Sequence, residues 1–79
     1  MKELLYTIVA GLVDHPDMIT ITQDEPNEEG TIVFHLHVAD EDMGRVIGKQ
    51  GRIAKAIRVI MRSTASRNGL ESIAVEIGE

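Results

Sequence analysis

The sequence predicts an α+β domain in which one layer of three helices covers one face of a three-stranded sheet. Apolar residues recur every three or four positions in three segments, which indicates helices, and alternate with polar residues in three others, which indicates strands. The order along the chain is helix, strand, strand, helix, helix, strand. With 79 residues we expect one domain over residues 1–79. Because the chain has no cysteine, the domain must fold by packing alone, as is usual in a reducing, cytoplasmic setting.

A helix and a hairpin make up the first half of this prediction. Lys2 to Asp14 is amphipathic, and His15-Pro16 ends it because proline lacks an N–H group and forces the preceding residue out of helical geometry. Met18 to Gln23 and Thr31 to Val38 alternate apolar and polar residues, which is typical of half-buried strands. The acidic turn Asp24 to Gly30 is short enough to join them as a hairpin.

Two helices and a strand complete the chain. A short helix begins at Asp40 or Glu41 and ends near Ile47, and a longer one spans Arg52 to about Arg67. Asn68-Gly69 ends the long helix as a left-handed cap would, and Ser72 to Ile77 forms the last strand.

The long helix is predicted to bury one apolar stripe. The stripe consists of Ile53, Ala56, Ile57, Ile60 and Thr64. The basic residues Lys55, Arg58 and Arg62 fall on the opposite side, where a solvated face and a contact with nucleic acid are equally open interpretations. The methionines predicted to fill gaps in the core are Met18, Met43 and Met61.

The charge is segregated along the chain. The net charge is −5, yet seven of the eight basic residues lie between Arg45 and Arg67, and Met43 to Leu70 contains no Asp or Glu. Such a distribution indicates a basic surface that an anionic partner would meet, despite the acidic total.

The basic segment contains a glycine-rich turn, Gly48-Lys49-Gln50-Gly51, between two predicted helices. Two glycines allow a tight turn whose backbone approaches a ligand closely. The second helix begins directly afterwards, and its free N–H groups form an anion site, with charge added by Arg45, Lys49 and Arg52. The expected ligand is a phosphate.

Two phosphate-binding motifs are excluded. A mononucleotide P-loop needs four residues between its glycines, whereas Gly44 and Gly48 enclose three, and Gln50 replaces the required hydroxyl. A dinucleotide fingerprint needs a glycine where Val46 stands and a preceding strand. A helix, a Gly-x-x-Gly loop and a helix remain, which is how a KH module grips a nucleic-acid backbone.

The residues Val46-Ile47-Gly48-Lys49-Gln50-Gly51-Arg52-Ile53 match the core KH motif. With Met1-Lys2-Glu3-Leu4, Asp14-His15-Pro16 and the segment from Asp42 to Arg58, the whole chain resembles the KhpA family of small bacterial single-KH-domain RNA-binding proteins. A helix and a strand precede the KH core, and the sequence stops two residues after Ile77, so we expect no further helix. This order resembles the second (type II) KH topology, which implies a mixed sheet.

The resemblance implies a binding site and partners. Gly48 to Gly51 would face the phosphates of about four nucleotides of single-stranded RNA. Bases would lie against Val46, Ile47 and Ile53 on one side and the strand Phe34 to Val38 on the other. The site residues so implied are Arg45, Val46, Ile47, Gly48, Lys49, Gln50, Gly51, Arg52 and Ile53. The family is viewed as RNA chaperones that work with a larger KH-containing protein and is linked to cell-wall synthesis and cell length.

Other function classes find little support in the sequence. No nucleophile motif is present, so we expect no enzyme, no cofactor and no small-molecule substrate. His35 and His37 share one strand face but lack further ligands, so we expect no metal. The longest apolar stretch, Leu4 to Val13, is too short to cross a membrane.

Pairing with another chain is the alternative main function. Val59 and Met61 fall off the predicted stripe, and Tyr6 is marginal on the first helix. Leftover apolar groups on a small domain indicate a contact surface. We therefore expect a homodimer or a heterodimer with a second KH protein.

Overall fold

A computed structural model describes residues 1–69 and 72–78; Leu70, Glu71 and Glu79 lie outside the described residues. The predicted α+β order is confirmed. Three short 3₁₀ turns join the main elements, at Pro16–Met18, Asp40–Asp42 and Lys49–Gly51. The helices and strands are α1 (Lys2–Ala10), β1 (Thr20–Gln23), β2 (Ile32–His37), α2 (Met43–Ile47), α3 (Arg52–Arg67) and β3 (Ile73–Gly78).

The three described strands form one mixed sheet in the order β1-β2-β3, so β2 is central. Strand β1 runs antiparallel to β2, with Thr22 opposite His35. Strand β2 runs parallel to β3, with Phe34 opposite Val75. The mixed sheet that the second KH topology implies is therefore confirmed, and β1 and β3 form opposite edges.

The core lies between the helices and one face of the sheet. Its most buried large side chains come from every layer and include Leu5, Val9, Phe34, Leu36, Val46, Ile57 and Met61. Full burial of each such side chain contributes about 1.5–3 kcal/mol. This cluster holds the short helix α2, and with it the loop that follows, against the sheet.

Helix α1 ends at Ala10, not at Asp14 as predicted. Gly11 follows, a residue with low helix propensity, and the N–H of Leu12 donates to the carbonyl of Val9 at 2.9 Å in a tighter turn. The break therefore precedes Pro16.

Strand β1 begins at Thr20 rather than Met18, because Pro16–Met18 form a 3₁₀ turn. The side chain of Met18 is 55% exposed, so the prediction that it fills the core is wrong. Met18 lies in a turn at the surface and therefore does not reach the core.

Helix α3 has the predicted bounds, but its buried face is rotated relative to the predicted stripe. The core-facing residues are Ala54, Ile57, Met61 and Ala65. Ala56 and Ile60, both predicted to be buried, are exposed. Met61 has no exposed area and belongs to the core cluster, as predicted for a methionine that fills gaps in the core.

The outer face of the sheet carries a three-residue ionic cluster. The Nε2 atom of His35 lies 2.8 Å from a carboxylate oxygen of Asp24, and its Nδ1 atom lies 3.2 Å from Glu76. The hydrogen bond to Asp24, opposed by desolvation and assisted by both negative charges, raises the pKa of His35. The cluster links β2 to β3 and to the residue that follows β1.

Within residues 1–69 and 72–78, no helix is both long and apolar enough to span a bilayer. The same residues contain no group of three or more His, Cys, Asp or Glu side chains arranged to hold a metal ion.

Candidate nucleic-acid interface

The loop between α2 and α3 has a left-handed backbone at three of its four residues. The φ angles are +74° at Gly48, +57° at Gln50 and +75° at Gly51. At Gly48 a side chain is also excluded by space, because a Cβ atom there would overlap the side chain of Ile53. The first glycine of the motif is therefore required by conformation and by contact.

Two backbone hydrogen bonds close the loop. The N–H of Gly48 donates to the carbonyl of Gly44 at 2.9 Å, and the N–H of Gly51 donates to the carbonyl of Gly48 at 3.2 Å. Helix α3 starts immediately after Gly51, with no side-chain cap and no acidic residue in its first turn. The uncompensated N–H groups and the positive end of the helix dipole favour an anion at this position.

The three basic residues predicted around the loop differ in whether they are free to pair with a bound anion. Lys49 is exposed and forms no ion pair with any residue in the described part of the chain. Arg52 is exposed and its Nη2 atom donates to Oε1 of Gln50 at 3.4 Å, within the loop itself. Arg45, in contrast, pairs with Asp14 at 3.1 Å, which the sequence did not reveal. Lys49 and Arg52 therefore provide the unshared charge.

The apolar residues of the motif divide between core and surface. Val46 has no exposed area, so its side chain supports the loop from below and cannot touch a ligand on the surface. Ile47 is 38% exposed, and Ile53 is half-buried against Gly48. Ile47 and Ile53 remain as the apolar surface beside the loop.

Strand β3 packs beside α3, and the strand from Phe34 to Val38 that is predicted to contact the bases lies next to β3 in the sheet. Strand β2 is central, and its apolar side chains are buried beneath the helices. The N–H of Ile32 donates to the carbonyl of Ser72 at 3.2 Å, so the carbonyl of Ser72 points toward β2. Because backbone groups alternate in direction along a strand, the carbonyl of Val75, three residues later, points away from β2. The Nε atom of Arg58 donates to that carbonyl at 3.1 Å.

The basic face predicted on α3 is therefore split. Arg58 is half-buried and held against β3, whereas Lys55 and Arg62 are exposed. The predicted position of Arg58 opposite the buried face is wrong, because the buried face is rotated toward it.

Asp42 is a buried residue of this region that the sequence did not single out. Its side chain is 1% exposed, and its two carboxylate oxygens accept the N–H groups of Asp14 at 3.1 Å and His15 at 2.9 Å. Burial would raise its pKa, but these two hydrogen bonds, with the charges of His15 and Arg45, outweigh burial and lower the pKa. Asp42 thus ties the segment after α1 to the start of α2.

Solved structures with the same fold include two chains of Era. One, from Aquifex aeolicus and bound to GDP·AlF4⁻, has a TM-score of 0.71 and 18% identity over 96% of this chain. The other, in complex with MgGDPNP and a 16S ribosomal RNA segment, has a TM-score of 0.62 and 17% identity over 96% of this chain. The chain spans 28% of the length of each, so this likeness concerns the fold alone.

Curated relatives match along the full length. The protein named RNA-binding protein KhpA from Listeria monocytogenes is 49% identical over 79 residues, which is 100% of both chains. Its namesakes from Clostridium acetobutylicum and Chlamydia pneumoniae are 49% and 43% identical and cover 98% and 100% of this chain, and 99% and 97% of their own. A family model described as KhpA/KhpB, KH domain, matches residues 2–77. With its fold and its loop, the chain belongs to the KhpA/KhpB KH-domain family.

Proposed function

We propose that this protein binds single-stranded RNA through the loop Gly48 to Gly51, with low sequence selectivity. The observation that carries the proposal is the loop geometry: a left-handed turn opens the uncapped N-terminus of α3 beside the unshared charge of Lys49 and Arg52. Backbone N–H groups and exposed cations together bind phosphates. The names of the curated relatives support RNA as the source of those phosphates.

The neighbouring surface suits the bases. Ile47 and Ile53 offer an apolar surface next to the loop, and β3 packs beside α3, the helix that follows the loop. A KH loop holds about four nucleotides. Tyr6 and Phe34 are the two aromatic residues of the chain, and Phe34 is buried, so stacking on aromatic rings contributes little selectivity.

Salt dependence tests whether phosphate contacts drive binding. We expect the loop to engage about 3 phosphates. On single strands this gives a slope of about −2 when the logarithm of the association constant is plotted against the logarithm of the salt concentration. Fluorescence anisotropy of a labelled eight-nucleotide oligouridylate at several potassium chloride concentrations measures this slope. A slope near zero would contradict phosphate-driven binding, whereas a slope steeper than about −4 would add Lys55 and Arg62 to the interface.

The proposal assigns the protein a binding function and no catalytic activity. It also treats residues 1–79 as one domain. The resemblance further implies an RNA chaperone in the cytoplasm that works with a larger KH-containing protein, with links to cell-wall synthesis and cell length. RNA crosslinking in cells, with wild type beside a loop variant, tests whether the protein contacts RNA there, because only loop-dependent crosslinks support binding through Gly48 to Gly51.

A second candidate function is pairing with another KH chain through α3. The face opposite the core carries Val59, 52% exposed, and Ile60, 44% exposed, with the small residues Ala56 and Ser63 one turn to either side. This spacing forms a stripe along which a second helix can approach closely. Met61, predicted to belong to this surface, has no exposed area and does not. Pairing would join two weak RNA contacts and raise their combined affinity.

Sedimentation velocity tests the pairing. We expect wild type to sediment as a dimer at micromolar concentration and Val59→Asp with Ile60→Asp to sediment as a folded monomer, because both carboxylates would be desolvated between the helices. Thr22→Asp, which adds an exposed acid on the sheet, is the control and should leave the dimer intact. A monomeric wild type that also captures no KH-containing partner contradicts this function and leaves RNA binding untouched.

A further inference from the structure

We propose that the free edge of β1, with the groove between β1 and α1, binds an extended peptide in which apolar and basic residues alternate. The peptide would add a fourth strand to the sheet. This site is separate from the loop that we propose for RNA.

The backbone of β1 is open on one side. The N–H of Asp24 donates to the carbonyl of Val33 at 2.9 Å. Hydrogen-bonded and non-hydrogen-bonded pairs alternate along an antiparallel ladder. The backbone N–H and carbonyl groups of Thr20 and Thr22 therefore also point toward β2, and those of Ile21 and Gln23 point outward. No described strand pairs with that side, so two residues offer four hydrogen-bonding groups to an added strand.

A groove runs beside this edge on the helical side of the sheet. Its volume is about 470 Å³, and its lining residues are Lys2, Glu3, Tyr6, Thr7, Ile19 and Ile21. Tyr6 is 45% exposed, an unusual position for an aromatic ring on a small domain. Alternate side chains of an added strand would lie in this groove, which is how edge strands with a neighbouring helix select peptides.

The surrounding charge selects the occupant. Within the groove, Lys2 and Glu3 carry opposite charges. Asp17 precedes β1, and Asp24 and Glu25 follow it; Asp24 also pairs with His35 on the outer face of the sheet. No Lys or Arg occurs between Lys2 and Arg45, so acidic residues are in excess around the strand. This acidic surface repels RNA. It also opposes a second copy of the chain, because antiparallel pairing of two β1 strands would bring their acidic ends together. A peptide with apolar residues toward the groove and basic residues away from it satisfies both the groove and the charge.

The peptide site and the loop are on different parts of the fold. Helix α3, which the loop precedes, holds Arg58 against β3, and β3 is the edge opposite to β1. Peptide and RNA can therefore bind at the same time, and their binding can be tested independently.

The test is NMR titration of the full chain with an acetylated, amidated hexapeptide of alternating valine and lysine. We expect saturable shifts at the amides of Ile21 and Gln23 and at the ring of Tyr6. The matched peptide of alternating valine and glutamate should cause none. Equal shifts with both peptides, or shifts of the same amides caused by oligouridylate or by protein concentration alone, overturn the proposal.

Two variants locate the site. Gln23→Pro removes an outward N–H and leaves the pairing with β2 intact, since proline is tolerated on the free side of an edge strand. Tyr6→Ala removes the exposed ring without touching the core. Each should weaken peptide binding about tenfold, whereas Gln23→Ala should not. Unchanged binding in Tyr6→Ala contradicts the proposal even if Gln23→Pro fails to fold, and loss of peptide binding in the loop variant Lys49→Asp with Gln50→Asp would place the site elsewhere.

Discussion

Replacing both Lys49 and Gln50 by aspartate should abolish RNA binding and leave the fold intact. Both side chains are exposed. Aspartate is among the residues that tolerate the left-handed conformation of Gln50, and an acid just before α3 is favourable for the helix dipole. Two carboxylates would instead face the phosphates, and repulsion of about 1.4 kcal/mol from each reduces the affinity about a hundredfold.

Anisotropy with the labelled oligouridylate measures the loss, and circular dichroism checks the fold. A double variant that adds two negative charges on the sheet, Thr22→Asp with Gln23→Asp, is the control. It lowers the net charge by two, against three in the loop variant, and should bind RNA within about twofold of wild type, because exposed charges far apart are screened. If the loop variant binds RNA as wild type does, the proposed function is wrong.

Asp42→Ala should destabilise the protein more than any surface substitution. The change leaves the N–H groups of Asp14 and His15 without their acceptors in a half-buried position. We expect the midpoint of thermal unfolding to fall by about 10 °C. Asp40→Ala, two residues earlier and exposed, should shift it by no more than about 2 °C. Equal shifts in the two variants would show that the hydrogen bonds of Asp42 contribute nothing.

The same residue predicts how stability depends on pH. The pKa of Asp42 is lower in the folded protein than its ordinary value of 3.8, so its contribution is complete above that value and is lost as the pH falls through the folded pKa. His35 acts in the opposite sense. Its pKa is raised above 6.5, so its contribution is complete below 6.5 and is lost as the pH rises through the folded pKa.

Stability should therefore be greatest between these two transitions. Urea denaturation from pH 3 to pH 9 measures this dependence. Asp42→Asn should reduce the decline at the acidic end, to which Glu3, whose pKa is also lowered by a backbone hydrogen bond and the N-terminal charge, contributes as well. Replacement of His35 by glutamine should remove the decline at the alkaline end. A wild-type curve that is flat over the whole range contradicts both assignments.

The sequence was sufficient for most features that depend on neighbouring residues, although it misplaced the end of α1 and the start of β1. Alternation in Thr31 to Val38 identified β2, and left-handed glycines identified both the loop and the cap at Gly69. The bounds of α3 were also predictable, because Gly51 and Asn68-Gly69 flank it directly. The elements of the site and their order thus follow from local patterns.

Features that depend on residues far apart in the chain were not predictable. Helix α3 has apolar residues on two faces, and hydrophobicity alone could not show that Met61 faces the core and Ile60 the solvent. Asp42 looks like an ordinary acid at a helix start, and its two partners lie 27 and 28 residues away. Only the packed fold brings these groups together.

The contact between Gly48 and Ile53 has a consequence for the entropy and the rate of RNA binding. The side chain of Ile53 packs against Gly48 and holds the backbone of the loop in place. The conformational entropy of the loop is therefore lost during folding and not when a ligand binds. Association should then proceed in one step without a slow rearrangement, and differences in affinity among short RNA strands should reside in how fast they leave.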